Sequence, residues 1–200
     1  MITMQASVIA MFAATMAVVA IVVAAIIVVA AIATLILLRN RTKKLQTRFG
    51  PEYNRAVEET GSRYKAEAKL EQLEKRVERY PIRALSLAER DRFQQSWRAV
   101  QAKFVDDPIR ALAEADQLVD EAMSACGYPV SDFEQRAREI SVDHAAVVEH
   151  YRAGHDIAVR QSQGKATTEE LRQAMIDYRA LFDELMGEPE RLRTRTAGAS

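Results

Sequence analysis

The chain has few of the residues on which disulfide-bonded, metal-binding and phosphate-binding proteins depend. Its 200 residues include one cysteine, three histidines and seven glycines. A single cysteine excludes an internal disulfide, and the apolar surroundings of Cys126 are typical of a small buried hydrophobe. There is no glycine-rich phosphate-binding loop, and no serine at a predicted helix start has a histidine near it in sequence. Because no catalytic motif occurs, the sequence predicts a protein that is not an enzyme.

The three histidines do not have the spacing of a zinc site. On one continuous helix His144 and His155 would share a face, but they would lie about 16 Å apart along its axis, too far to hold one ion. His150 would point away from both. We therefore expect no metal ion and no cofactor, and we interpret His144 and His155 as partly buried members of a core stripe with local hydrogen bonds.

Charge is absent from one long segment, residues 8–38, which consists almost entirely of aliphatic residues and alanine. A transmembrane helix needs about 20 apolar residues, so this segment is long enough to span a bilayer with some tilt. A secretory signal peptide would have a basic start and a shorter apolar region, whereas residues 1–7 carry no charged side chain. The sequence predicts an uncleaved N-terminal anchor over residues 1–38, with cleavage and secretion as the alternative.

Five cations follow the apolar segment with no acidic residue among them, namely Arg39, Arg41, Lys43, Lys44 and Arg48. The positive-inside rule then places the N-terminus outside the cell and the rest of the chain in the cytoplasm. The same cations are candidates for contact with anionic lipid headgroups. A simple stop-transfer cluster is an equally weighted alternative.

Charge is also unevenly divided beyond the anchor. Residues 39–80 have a net charge of +5, whereas residues 81–186 have a net charge of −6. The folded part lacks a basic face, which disfavours nucleic-acid binding.

Residues 39–80 have the pattern of a basic juxtamembrane segment followed by a charged helical stem. Within it, apolar residues recur at spacings of three and four, at Ala66, Leu70, Leu73, Val77 and Tyr80. Two heptads predict a coiled-coil-like helix but are too short to establish self-association, which usually needs three or four. A homo-oligomer or another protein partner is therefore left open.

Residues 81–186 predict a bundle of about four to five helices, enough to bury one core. Helix starts are predicted at Ser86, Asp107, Ser131, Asp143 and Thr167. Because no segment shows the alternation of a β-strand, the predicted fold class is all-α. Residues 187–200 have no apolar period and are predicted to be a disordered tail.

Three aromatic residues lie along one stripe of the first bundle helix, namely Phe93, Trp97 and Phe104. They could line an apolar ligand groove, although a plain hydrophobic core is the favoured interpretation.

Several short blocks resemble, in their order, an uncharacterised bacterial family of single-span membrane proteins. The blocks are RFGPEY at 48–53, FVDDP at 104–108, GYPV at 127–130, DFEQR at 132–136 and SVDH at 141–144. The resemblance covers nearly all of residues 44–186. It implies a domain organisation of one transmembrane helix, a stem and a helical head. It implies no catalytic or binding residue.

These features together predict a membrane-tethered, non-enzymatic interaction or scaffolding module that binds another protein or itself. The alternative is a membrane-anchored domain that senses a small molecule or a lipid through a pocket beside Trp97. That alternative requires a concave apolar cavity with convergent polar groups.

Overall fold

The computed structural model describes the backbone of residues 2–129 and 131–187 and, within these ranges, the side chains from residue 26 onward. Every regular element in these ranges is a helix, which confirms the all-α fold class. The helices are α1 Ile2–Phe49, α2 Pro51–Thr60, α3 Arg63–Val77, α4 Leu87–Lys103, α5 Pro108–Ala125, α6 Phe133–His144, α7 Val148–Ser162 and α8 Thr168–Met186.

The chain forms two units, Met1–Lys44 and Leu45–Ser200. The boundary falls inside α1, so the last turn of this helix belongs to the second unit, where Leu45 and Phe49 are buried in the core. In the same unit α2 packs on α3, and α3 packs on α6. Most of the predicted stem therefore shares a core with the predicted bundle.

The two predicted terminal segments are only partly described. None of the helices is long and apolar enough to cross a bilayer when the described residues alone are counted. Residues 8–25 of the predicted anchor lie outside the described side chains, and residues 188–200 of the predicted tail lie outside the described residues.

Three of the predicted helix starts are confirmed as N-caps. Ser86 and Thr167 each form a capping box, in which the hydroxyl accepts from a backbone N–H and a glutamate three residues later accepts from the cap. Asp107 caps α5 through its carboxylate, and Pro108 occupies the first helical position, where a missing N–H costs nothing.

Two other predicted starts are wrong. The cap of α6 is Asp132 and not Ser131, because the Asp132 carboxylate accepts from the Gln135 backbone N–H at 2.9 Å. Asp143 does not cap a helix, since α6 continues through it to His144. Its buried carboxylate accepts a hydrogen bond from the Tyr128 hydroxyl at 2.7 Å, a tertiary contact that local sequence does not reveal.

The apolar stripe of α3 is covered by helices of the same chain. Ala66, Leu70, Leu73 and Val77 are all buried, and the neighbouring helices are α2 and α6. The Tyr80 hydroxyl beyond the helix end donates to the buried Glu139 carboxylate at 2.8 Å. The stripe therefore leaves no open coiled-coil seam for a second copy.

One buried ion pair joins the stem to the bundle. The Arg152 guanidinium in α7 makes two hydrogen bonds to the Glu52 carboxylate in α2, at 2.6 and 3.1 Å. A third bond reaches the half-exposed Glu134 in α6 at 2.7 Å. Arg152 and Glu52 are 9 % and 4 % exposed, so neither charge can be solvated if its partner is lost.

The connection between α5 and α6 depends on a glycine. Gly127 has a φ of 94°, and a Cβ atom there would lie 2.5 Å from the Pro81 carbonyl oxygen. Only glycine allows the backbone to approach the α3–α4 connection this closely. The Arg83 backbone N–H then donates to the Cys126 carbonyl at 3.0 Å.

Replacing Arg152 by methionine should lower the free energy of unfolding by about 3–5 kcal/mol, because the buried Glu52 would keep only the half-exposed Arg55, 3.6 Å away, as a charged neighbour. Removing the partly exposed charge with Glu134→Gln should cost less than about 1 kcal/mol. Chemical denaturation of the full chain, followed by the fluorescence of its single tryptophan, measures both changes. Equal losses of stability in the two variants would contradict the expectation that the buried Arg152–Glu52 pair contributes more than the partly exposed contact to Glu134.

Candidate functional site

A concavity with aromatic and charged walls lies between α4 and α8. Its floor contains the rings of Trp97 and Phe182, which stack with centroids 4.6 Å apart and planes inclined by 22°. The concavity has a volume of about 420 Å³ and is lined by Gln94, Trp97, Arg98, Gln101, Arg179, Phe182 and Asp183. We call this volume the aromatic section of the groove.

A second concavity of about 180 Å³ continues along the same two helices. It shares Gln101 and Arg179 with the aromatic section and adds Phe104, Arg172, Met175 and Ile176. Because three of its added residues are apolar, we call it the apolar section. The two sections together form the α4–α8 groove.

Helical periodicity explains how the groove is built. On α4 the lining residues Gln94, Arg98 and Gln101 recur at spacings of four and three, beside the core stripe that carries Trp97. On α8, Arg172 and Arg179 are seven residues apart and therefore lie on one side of the helix. The polar residues thus border the buried face of each helix.

The three arginines that line the groove differ in how far their charges are compensated by neighbouring residues. The Arg179 Nε–H donates to the Asp183 carboxylate at 3.1 Å, and its Nη1–H donates across the groove to the Gln101 side-chain oxygen at 3.3 Å. Arg172 makes its bonds to Glu169 on the same helix. Arg98 is exposed, and no hydrogen bond or ion pair joins it to another described residue. An anion entering the groove would therefore meet an uncompensated guanidinium.

The predicted aromatic residues divide between the core and the groove. Phe93 is 3 % exposed and lies in the core without lining the groove. Trp97 is equally buried, lines the aromatic section, and has an indole N–H without an acceptor among the described residues. Phe104 is partly buried and lines the apolar section. The groove polar residues were missed, since nothing in the sequence pairs α4 with α8.

The predicted lipid-contact cations differ in exposure. Arg39, Lys43 and Lys44 are exposed, whereas Arg41 and Arg48 are half-buried. The Arg48 guanidinium lies 3.3 Å from the Glu74 carboxylate of α3, so its charge is compensated within the chain.

A second group of polar residues is contributed by α5, α6, α7 and α8, and it is partly buried. We call it the Asp–Tyr cluster, and its members are Asp116, Asp120, Arg136, Tyr151, His155 and Tyr178. The Arg136 guanidinium pairs with the Asp120 carboxylate, to which the Tyr151 hydroxyl also donates at 3.4 Å. Asp116 and Asp120 are four residues apart on α5, a spacing that places both carboxylates on one side of the helix.

Burial shifts the ionisation of this cluster. It raises the pKa values of Tyr151, Tyr178 and Asp116, and the neighbouring Asp120 charge adds to the rise at Asp116. It lowers the pKa of His155, whose ring stacks on Phe133 with centroids 3.5 Å apart. Groups with shifted pKa values can mark a functional site. The adjoining cavity, lined in part by Asp120 and Arg136, has a volume of only about 70 Å³, which leaves little room for a ligand beside the cluster.

The histidines and the cysteine have separate surroundings. His144 is buried and bonds to Glu184 at 3.1 Å, while His150 bonds to Asp177 at 2.8 Å. Burial raises the pKa of the Cys126 thiol to about 11, which keeps it protonated and unreactive. Within the described ranges, no group of three potential ligands is placed to hold a metal ion.

Comparison of the chain with known protein families, with curated proteins and with solved structures finds no match. The resemblance to a bacterial single-span family therefore stays a prediction.

His155 should make the protein less stable as the pH falls below about 6.5. Since its pKa is lowered in the folded chain, the unfolded chain takes up a proton in this range that the folded chain does not. His155→Gln should remove this dependence, by at most about 1.4 kcal/mol per pH unit for one proton. Denaturation of both proteins between about pH 7.5 and 5.5 measures the difference.

His155→Gln also removes the ring stack on Phe133, which lowers the free energy of unfolding equally at every pH. This loss does not change the slope of stability against pH. An identical pH dependence in wild type and His155→Gln would contradict the prediction.

Proposed function

We propose that the protein is a membrane-tethered, non-enzymatic helical module that binds another protein or a second copy of itself. The observation that carries the tether is the exposure of residues 26–38. Every large side chain in this segment is exposed, from 49 % at Leu38 to 69 % at Leu37. A helix that is apolar on all faces belongs in a core or in a membrane.

The polar group within this segment supports the same proposal. The Thr34 hydroxyl donates to the Ala30 carbonyl of its own helix at 2.8 Å. Lipid offers no hydrogen-bond partner, so a hydroxyl satisfied inside the helix can be placed there at little cost. The full apolar run would be roughly 46 Å long as a helix, against a hydrocarbon thickness of about 30 Å.

The cations after the run support a cytoplasmic bundle. Arg39 and Lys43 are exposed directly after Leu38, whereas the N-terminal flank, residues 1–7, has no cationic side chain. Secretion after signal cleavage is the alternative location, and the same experiment separates the two.

The full chain should stay in the membrane pellet after alkaline carbonate extraction, because an apolar helix in lipid does not depend on charge. In spheroplasts the bundle should resist added protease, and in inverted vesicles it should be digested. A variant that lacks residues 8–38 keeps all the cations and is the matched control. It should be released by high salt, which screens any remaining attraction to anionic lipid.

Mature chain in the culture medium, cut ahead of Arg39, would contradict both the tether and the orientation.

Exposed apolar residues at the α4–α5 turn support the binding of a protein partner. Val105 and Ile109 are 84 % and 54 % exposed and lie four residues apart in the chain. Burial of these two side chains by a partner would remove apolar surface from water, which favours association.

Crosslinking in cells should recover this chain in a complex, and the double variant Val105→Asp, Ile109→Asp should reduce the yield about tenfold, since two buried charges oppose association. Leu87→Asp changes an equally exposed aliphatic residue, 79 % exposed, outside this turn and should leave the yield unchanged. Recovery of the chain only as a monomer would contradict the proposal.

A second candidate function, sensing of a small molecule or lipid, is favoured by the groove beside Trp97. Its aromatic section is within the size range of about 300–1,000 Å³ typical of small-molecule sites.

A further inference from the structure

We infer that the α4–α8 groove binds a single-chain anionic amphiphile, a short acyl chain with a carboxylate or phosphate head. This inference rests on the second candidate function and names its ligand class.

The apolar section suits the acyl chain. It is lined by Phe104, Met175 and Ile176. The side chain of Ile176 is 46 % exposed, so apolar surface in the groove is open to solvent. An acyl chain in this section would remove these apolar surfaces from water. Its volume of about 180 Å³ limits the occupant to a short or partly inserted chain.

The aromatic section suits the anionic head. Arg98 carries a charge that no described residue compensates, and the Nη2 group of Arg179 has no acceptor among the described residues. A guanidinium presents parallel donors that match the oxygens of a carboxylate or a phosphate. Asp183 is the acidic residue of the lining, and its bond to Arg179 reduces its repulsion of an anion.

The junction of the two sections can respond to the ligand. There the Arg179 guanidinium donates to the Gln101 oxygen at 3.3 Å, beyond the usual range for an N–H to oxygen bond. An anionic oxygen is a stronger acceptor than an amide oxygen. A bound head group would therefore compete for Arg179 and weaken this bridge between α4 and α8.

The single tryptophan gives a direct test. Because Trp97 is the only one in the chain, its indole N–H gives one NMR cross-peak that reports on the groove. We would titrate the full chain, held in nanodiscs of zwitterionic lipid, with octanoate, octyl phosphate, octanol and octylammonium. Octanoate or octyl phosphate should move the peak saturably, octanol should bind about tenfold more weakly, and octylammonium should have no effect.

Variants locate the two ends of the ligand. Arg98→Gln should weaken binding of the anionic probes about tenfold and leave octanol unchanged, since only the head is affected. Ile176→Asp should abolish binding of all probes. The matched controls lie outside the groove and should have no effect: Arg79→Gln is an exposed arginine after α3, and Val159→Asp is an aliphatic residue of similar exposure, 42 %, on α7.

The outcomes separate the inference from the function on which it rests. Octanol binding as tightly as octanoate, with no effect of Arg98→Gln, would overturn the anionic ligand class and leave a sensing groove intact. No response to any probe would overturn both. Binding that survives Ile176→Asp would place the ligand outside the groove and also overturn the inference.

Discussion

The bond between Arg152 and Glu52 is the constraint on which the arrangement of the second unit depends. These residues are 100 positions apart in the chain and are buried together. An apolar contact between α2 and α7 could slide or rotate, but a two-point bond between a guanidinium and a carboxylate allows one geometry. With Glu134 as a second partner, Arg152 joins α2, α6 and α7, and so places the stem against the bundle.

Tyrosines extend the same principle through the rest of the core. The hydroxyls of Tyr53, Tyr80 and Tyr128 donate to the buried carboxylates of Glu67, Glu139 and Asp143. Each bond satisfies a polar group that would otherwise be costly to bury, while the ring fills apolar space. The small bundle therefore has a hydrophobic core in which buried hydrogen bonds fix how the helices are aligned. The α4–α8 groove differs, because its polar groups border solvent and Arg98 stays uncompensated.

Local signals predicted the helix boundaries well where the capping residue acts only on its own helix. Ser86, Asp107 and Thr167 satisfy N–H groups within one turn, so their role is visible in sequence. Asp143 has the same side-chain chemistry but bonds to Tyr128, fifteen residues away. Likewise, Trp97 could be proposed as a groove residue from its stripe, whereas Arg179 could not, because its position beside α4 depends on the packing of α8.

The sequence by itself determined the helical fold class, the long apolar run, the cations that follow it and most helix starts, since each arises from periodicity or from groups within one or two turns. Only the tertiary structure decided which helices share a core, which carboxylate receives each buried cation or hydroxyl, and where a groove is left between α4 and α8. The physical reason is distance along the chain. Side chains separated by tens of residues meet only after the helices have packed, and many pairings are compatible with the same apolar stripes.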